Sequence, residues 1–207
     1  MYRYLLLVRF ALFNLVAVSL LASAYLQGWL DGILRADLVE LSFVIVGLFL
    51  YGLIFCATRV WHTSQELNDI KVGAPAPDSH AGRYLTAIML AEGTGREVLQ
   101  GVLRLKLTNR IAVVRHVASS LVFLGLIGTV IGFIIALSGV DPAGATDSGR
   151  VGAMVSTLIS GMSVALNTTL VGAVLYVWLN VNHRLLTTGT VDLLTSTLEF
   201  GETHGRA

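Results

Sequence analysis

Charge is what this sequence has least of. Only 13% of its 207 residues are Asp, Glu, Lys or Arg, against about 25% in an ordinary soluble domain, so the whole chain does not carry a water-exposed globular surface. Cysteine occurs once, at Cys56 inside an apolar run, which excludes a disulfide framework or a cysteine metal cluster and leaves it as a small buried apolar residue. The five histidines, His62, His80, His116, His183 and His204, lack ligand spacing, and no nucleophile and base arrangement or phosphate loop is present. No metal, cofactor or catalytic site is therefore expected, and an enzyme is not. A net charge of +1 offers no footprint for nucleic acid. Proline is rare too, and two of the three, Pro75 and Pro77, fall in KVGAPAPDSHAG, where with flanking glycines they break any helix.

What is abundant is apolar surface, 55% of the residues. A bilayer core of about 30 Å needs roughly 20 apolar residues per helix, and four runs qualify: Leu5 to Leu26, Leu38 to Thr58, Val117 to Ser138 and Val151 to Val181. An all-α integral membrane protein with four transmembrane helices is the expected fold, with the lipid bilayer as its surroundings. Arg3, Arg9 and the small residues Ala22-Ser23-Ala24 give the first run some likeness to a signal peptide, but it is long for an h-region and reads as a retained span. With the N-terminus inside, twelve of the 14 Lys and Arg residues fall on the inner side and only Arg35 and Arg150 outside, which puts both termini in the cytoplasm. Trp29 reads as an outer interface anchor, and Arg59, Trp61 and His62 as an inner belt. Asn14, an amide within span one, is expected to bond a neighbouring helix.

The chain divides into residues 1–59 with spans one and two, a cytoplasmic helical region 60–116 with a Pro/Gly linker near 71–82, residues 117–182 with spans three and four, and a cytoplasmic tail 183–207. From Arg83 to Arg115, Leu85, Ile88, Met89, Val98, Val102 and Leu105 recur at helical spacing. Nothing breaks the helix between Arg96 and Leu121, so span three should extend into the cytoplasm, and span four similarly. The tail, with Leu185, Leu186, Val191, Leu194 and Leu198, is read as a short amphipathic helix ending near Gly201.

Spans three and four hold the polar chemistry. At about 100° per residue, Gly125, Gly128, Thr129, Gly132 and Ala136 share one face of span three, a small face that lets a second helix come close, with Thr129 free to bond its own helix. Span four has two polar stripes: Ala165, Thr169, Gly172, Ala173, Tyr176 and Asn180 on one side, and Ser156, Ser160, Ser163 and Asn167 roughly opposite. Polar groups inside a membrane face protein or water, so two such stripes imply oligomerisation. Between Val117 and Val181 the only charged residues are Asp141, Asp147 and Arg150, all in the outer loop. Proton relays use mid-membrane carboxylates or histidines, so any such group must come from a partner, leaving hydroxyls of Thr129, Thr168 and Thr169 to order water, coordinate a cation or bond that carboxylate.

GLIGTVIG in span three and MSVALNTTLVGAVL in span four resemble the paired motifs of the MotA/TolQ/ExbB proton channel family, the A-type subunits of ion-driven rotary motors. The resemblance implies a pore-lining core at 117–182 in a ring, pentameric in that family, around a dimer of a single-span MotB/TolR/ExbD-like subunit with a membrane aspartate. It implies a bacterial inner-membrane complex that passes H+ or Na+ and turns about the dimer. By motif position Thr129 and Thr169 look like the family's pore threonines, and Thr168 like the added hydroxyl of a Thr-Thr pair. The sequence departs from flagellar members at Val122 and Asn182, where those carry proline, and from transport-energising members at Val164, where those carry glutamate. The alternative is a non-conducting oligomeric scaffold, which accounts for the glycines but not for Ser156, Ser160, Ser163, Asn167 and Thr169 on two faces of one helix.

Overall fold

The computed structural model describes residues 5–28, 39–72, 77, 79–90, 94–140 and 148–204. All regular structure among them is α-helix: α1 Leu5–Leu26, α2 Val39–Val72, α3 His80–Leu90, α4 Thr94–Ser138 and α5 Ser148–His204. Four of these, all but α3, are long and apolar enough to cross a membrane. Trp29, Arg35, Pro75, Asp141 and Asp147 lie outside the described residues, and with them the outer anchor, part of the linker and most of the outer loop.

Local chemistry sets the ends. Beyond α1 the chain leaves the helix at Gly28, whose φ of 76° glycine adopts at little cost. Ser79 caps α3, its Oγ accepting the Gly82 amide at 2.8 Å. Glu97 lies in the first turn of α4, where a carboxylate meets the positive end of the helix dipole.

Helix lengths correct three readings. At about 1.5 Å per residue, the 45 residues of α4 and the 57 of α5 reach roughly 68 and 86 Å, more than twice a bilayer core of about 30 Å. The tail is therefore no separate short helix but the continuation of α5. Its threonine-rich step stays helical, with Thr187 and Thr190 turning their hydroxyls onto the carbonyls of His183 and Leu186, each at 2.8 Å. Likewise α2 does not stop near Thr58 but runs to Val72. The helical pattern between Arg83 and Arg115 is two helices, α3 and α4.

The chain forms two compact units. One comprises Met1–Leu15, Leu53–Arg115 and Asn180–Ala207; the other comprises Val16–Gly52 and His116–Leu179. In the first, Ile70, Ala81, Tyr84, Leu85, Ile88, Leu103, Leu107 and Leu193 form a buried cluster edged by Leu67, Leu99, Leu198 and Phe200. Four helices contribute, so α3, too short to be stable alone, is held by tertiary burial. Cys56 is buried, as expected of it. Asn14 meets the bonding partner its position called for: its Nδ2 donates to Asn182 Oδ1 at 2.7 Å, and Asn182 Nδ2 donates back to Asn14 Oδ1 at 3.3 Å. Asn182 is 0% exposed, so this pair satisfies an amide that burial would otherwise penalise.

The second unit buries Ile45 and Phe49 of α2, Leu121 of α4 and Leu175, Trp178 and Leu179 of α5. The Phe49 and Trp178 rings stand 5.1 Å apart at 56°, an arrangement aromatic pairs favour.

Candidate functional site

Within the second unit, α4 and α5 meet through their smallest residues. A Cβ built on Gly132 would lie 2.6 Å from both the Gly161 carbonyl oxygen and the Ala165 amide nitrogen. One on Gly172 would lie 2.8 Å from the Leu121 oxygen and 3.2 Å from the Gly125 Cα, and one on Gly139 2.6 Å from the Thr157 Cβ. Residue numbers rise along α4 as they fall along α5, so the helices run antiparallel, backbone against backbone. In an apolar solvent such close packing replaces the hydrophobic drive. The glycines singled out by sequence, Gly125, Gly128, Gly132 and Gly172, all lie in this seam.

Gly161 belongs there as well, and sequence reasoning missed it: a Cβ on it would stand 2.5 Å from the Gly132 oxygen. Its signal was the series Gly161, Ala165, Thr168, Gly172, small residues at steps of four and three.

The structure separates the three threonines. Thr168, 2% exposed, sits in the notch left by Gly128, and its hydroxyl donates to the Val164 and Ala165 carbonyls at 3.0 and 3.1 Å. It is enclosed in the packing of α4 against α5. Motif position set it beside Thr169 as one of a Thr-Thr pair, and a motif cannot show which side of α5 faces α4. Thr129 and Thr169 lie at intermediate burial instead. Thr129 Oγ1 donates to the Leu126 carbonyl at 2.6 Å, while Thr169 Oγ1 crosses to the Gly125 carbonyl at 3.2 Å. That carbonyl is also the one that accepts the Thr129 amide in a regular α-helix. The two threonines therefore converge on one turn of α4.

A hydroxyl has one proton to donate and two lone pairs to offer. With both protons directed to backbone carbonyls, Thr129 and Thr169 have acceptor capacity left, suited to a water, a protonated carboxyl or a cation. They cannot relay charge alone, since spans three and four supply no carboxylate, Lys or His.

The other stripe of α5 points away from the seam. Ser156, Ser160 and Ser163 are exposed and Asn167 is partly so, its Nδ2 donating to Ser163 Oγ at 3.4 Å. They share that outer surface with large apolar residues such as Leu166, 68% exposed. Among the expected polar positions, the structure thus brings Thr129 and Thr169 together and leaves the serine stripe apart.

A fold of four long apolar helices with a glycine-packed central pair defines a helical membrane protein. The sequence profile of the MotA/TolQ/ExbB proton channel family matches residues 79–197, more than half of the chain, and the chain belongs to that family. The matched region holds α3, α4 and most of α5, including every seam glycine and all three threonines. No individual curated protein and no solved structure matches it.

Proposed function

We propose that this chain is the A-type subunit of an inner-membrane complex driven by ion-motive force. Several copies, five by analogy with the family, enclose a dimer of a single-span companion whose membrane helix carries an aspartate. H+ or Na+ passes along the boundary between Thr129, Thr169 and that aspartate, and the ring turns or does mechanical work. Both termini lie in the cytoplasm.

One observation carries the reading: the Thr169 hydroxyl crosses to the Gly125 carbonyl beside Thr129, leaving acceptor oxygens beside spans that lack a carboxylate. A charge-bearing partner completes what these residues leave open. The exposed Ser156, Ser160 and Ser163 support oligomerisation, since lipid is a poor neighbour for such a stripe.

Ion flux into liposomes holding the chain with its co-purified companion tests the reading. Thr169→Val is expected to cut flux about tenfold or more, the scale of one lost polar contact of roughly 1.4 kcal/mol, with assembly intact. Thr168→Val, which removes a hydroxyl bonded only to its own helix, should leave flux nearly unchanged. Full flux through Thr169→Val removes that residue from the pathway. Absence of flux and of any aspartate-bearing companion would leave the non-conducting scaffold as the better description.

A further inference from the structure

Below the apolar run of α2, in the first unit, α2, α4 and α5 enclose a pocket lined by Arg59, His62, Glu66, Arg110, Thr190 and a wall of leucines that includes Leu186. Its enclosed part is about 20 Å³, enough for a water of the usual 10–15 Å³ requirement but not for a larger group, so a ligand would sit at its mouth. Arg59 is the first charged residue after the span, with its guanidinium 4.9 Å from the Phe55 ring centre and its Nε buried without a hydrogen-bond partner. The Arg110 guanidinium is destabilised first by burial and then by the charge of Arg59, with Glu66 acting the other way and Arg83 adding to the repulsion. Arginine keeps its charge at neutral pH nonetheless. Arg59 and Arg110 thus line the pocket with a single carboxylate, Glu66, and this excess of positive charge lies beside the leucine wall. Exposed Trp61 on the next residue but one of α2 marks this level as the membrane interface.

We propose that the mouth of this pocket binds a phosphate ester, and specifically the headgroup of an anionic phospholipid, through Arg59 and Arg110. Guanidinium forks match phosphate oxygens, and basic pockets between transmembrane helices bind anionic headgroups. The leucine wall and the position at the end of the apolar run favour a lipid over a free anion, because an acyl chain can follow the apolar surface while the phosphate meets the arginines.

Native mass spectrometry of the purified full chain, with phosphatidylglycerol or phosphatidylcholine added, tests this. Wild type is expected to retain phosphatidylglycerol preferentially, and Arg59→Gln/Arg110→Gln to lower that retention about tenfold or more, since each basic residue near a lipid surface adds to the attraction for an anionic headgroup. Arg59→Lys/Arg110→Lys, which keeps charge without the fork, should fall between and remains informative if the glutamine variant fails to fold. Arg104→Gln, outside the pocket, should behave as wild type. Millimolar inorganic phosphate should displace the lipid if the headgroup phosphate is what is recognised. Retention of phosphatidylglycerol unchanged in both double variants overturns the proposal. Equal loss of both lipids would also overturn it, as a general loosening. Binding of inorganic phosphate without phosphatidylglycerol would overturn the lipid assignment.

Discussion

The two units hold helices together by opposite means. In the first, α3 is pinned by bulky side chains, Tyr84, Leu85 and Ile88 against Ile70, Leu103, Leu107 and Leu193, so apolar area removed from water supplies the stabilisation. In the second, α4 and α5 adhere where side chains are missing, at Gly125, Gly132, Gly161 and Gly172. The difference follows from solvent. Lipid tails are as apolar as leucine, so burying leucine there gains little, whereas close backbone approach gains dispersion and polar contacts.

The largest effect is expected where the seam is tightest. In Gly161→Leu the new Cβ would lie 2.5 Å from the Gly132 oxygen and 2.6 Å from the Ala136 Cα. Both are backbone atoms that no rotamer change can move, so the helices must part and the cost exceeds the 1–3 kcal/mol typical of overpacking. Loss of the monodisperse species in size-exclusion chromatography is the expected result. A variant as stable as wild type would show that the close approach of the two backbones is dispensable.

A cavity in the other unit should cost less but still register. Leu85 is 5% exposed, and Leu85→Ala should destabilise by about 2–5 kcal/mol, as buried leucine truncations do. Local proteolysis around α3 is the sharper readout, since α3 depends on this packing more than on its own helical propensity. If proteolysis of that region is unchanged, the leucine cluster is not what holds α3.

Much of this division was legible in the chain. Run length and scarce charge marked four spans, and period alone collected Gly125, Gly128 and Gly132 on one face. Asn14 stood out because an amide in an apolar run needs a partner, although the partner, Asn182, is 168 positions away and no local pattern points to it. Two things were hidden for physical reasons. Thr168 and Thr169 differ by about 100° around α5, and only the position of α4 decides that the first is enclosed and the second reaches Gly125. The pocket sets Arg59 and Glu66 of α2 beside Arg110 of α4, distant in sequence, and each alone resembles an ordinary charge outside the span.

The smallest effect sharpens the contrast, because glycine is also present where nothing packs on it. A Cβ on Gly101, in the charged part of α4, would meet nothing within 4 Å, so that glycine only weakens the helix. Gly101→Ala is expected to stabilise by about 0.5–1 kcal/mol, a rise of about 2 °C in the thermal midpoint of a chain this long. Gly161→Ala, the same chemical change, should lower the midpoint, because its methyl group would press on the Gly132 carbonyl. Opposite signs would show that a glycine in this protein is defined by what faces it. A fall at Gly101 would mean that another copy or a partner covers that face of α4 in the assembled complex.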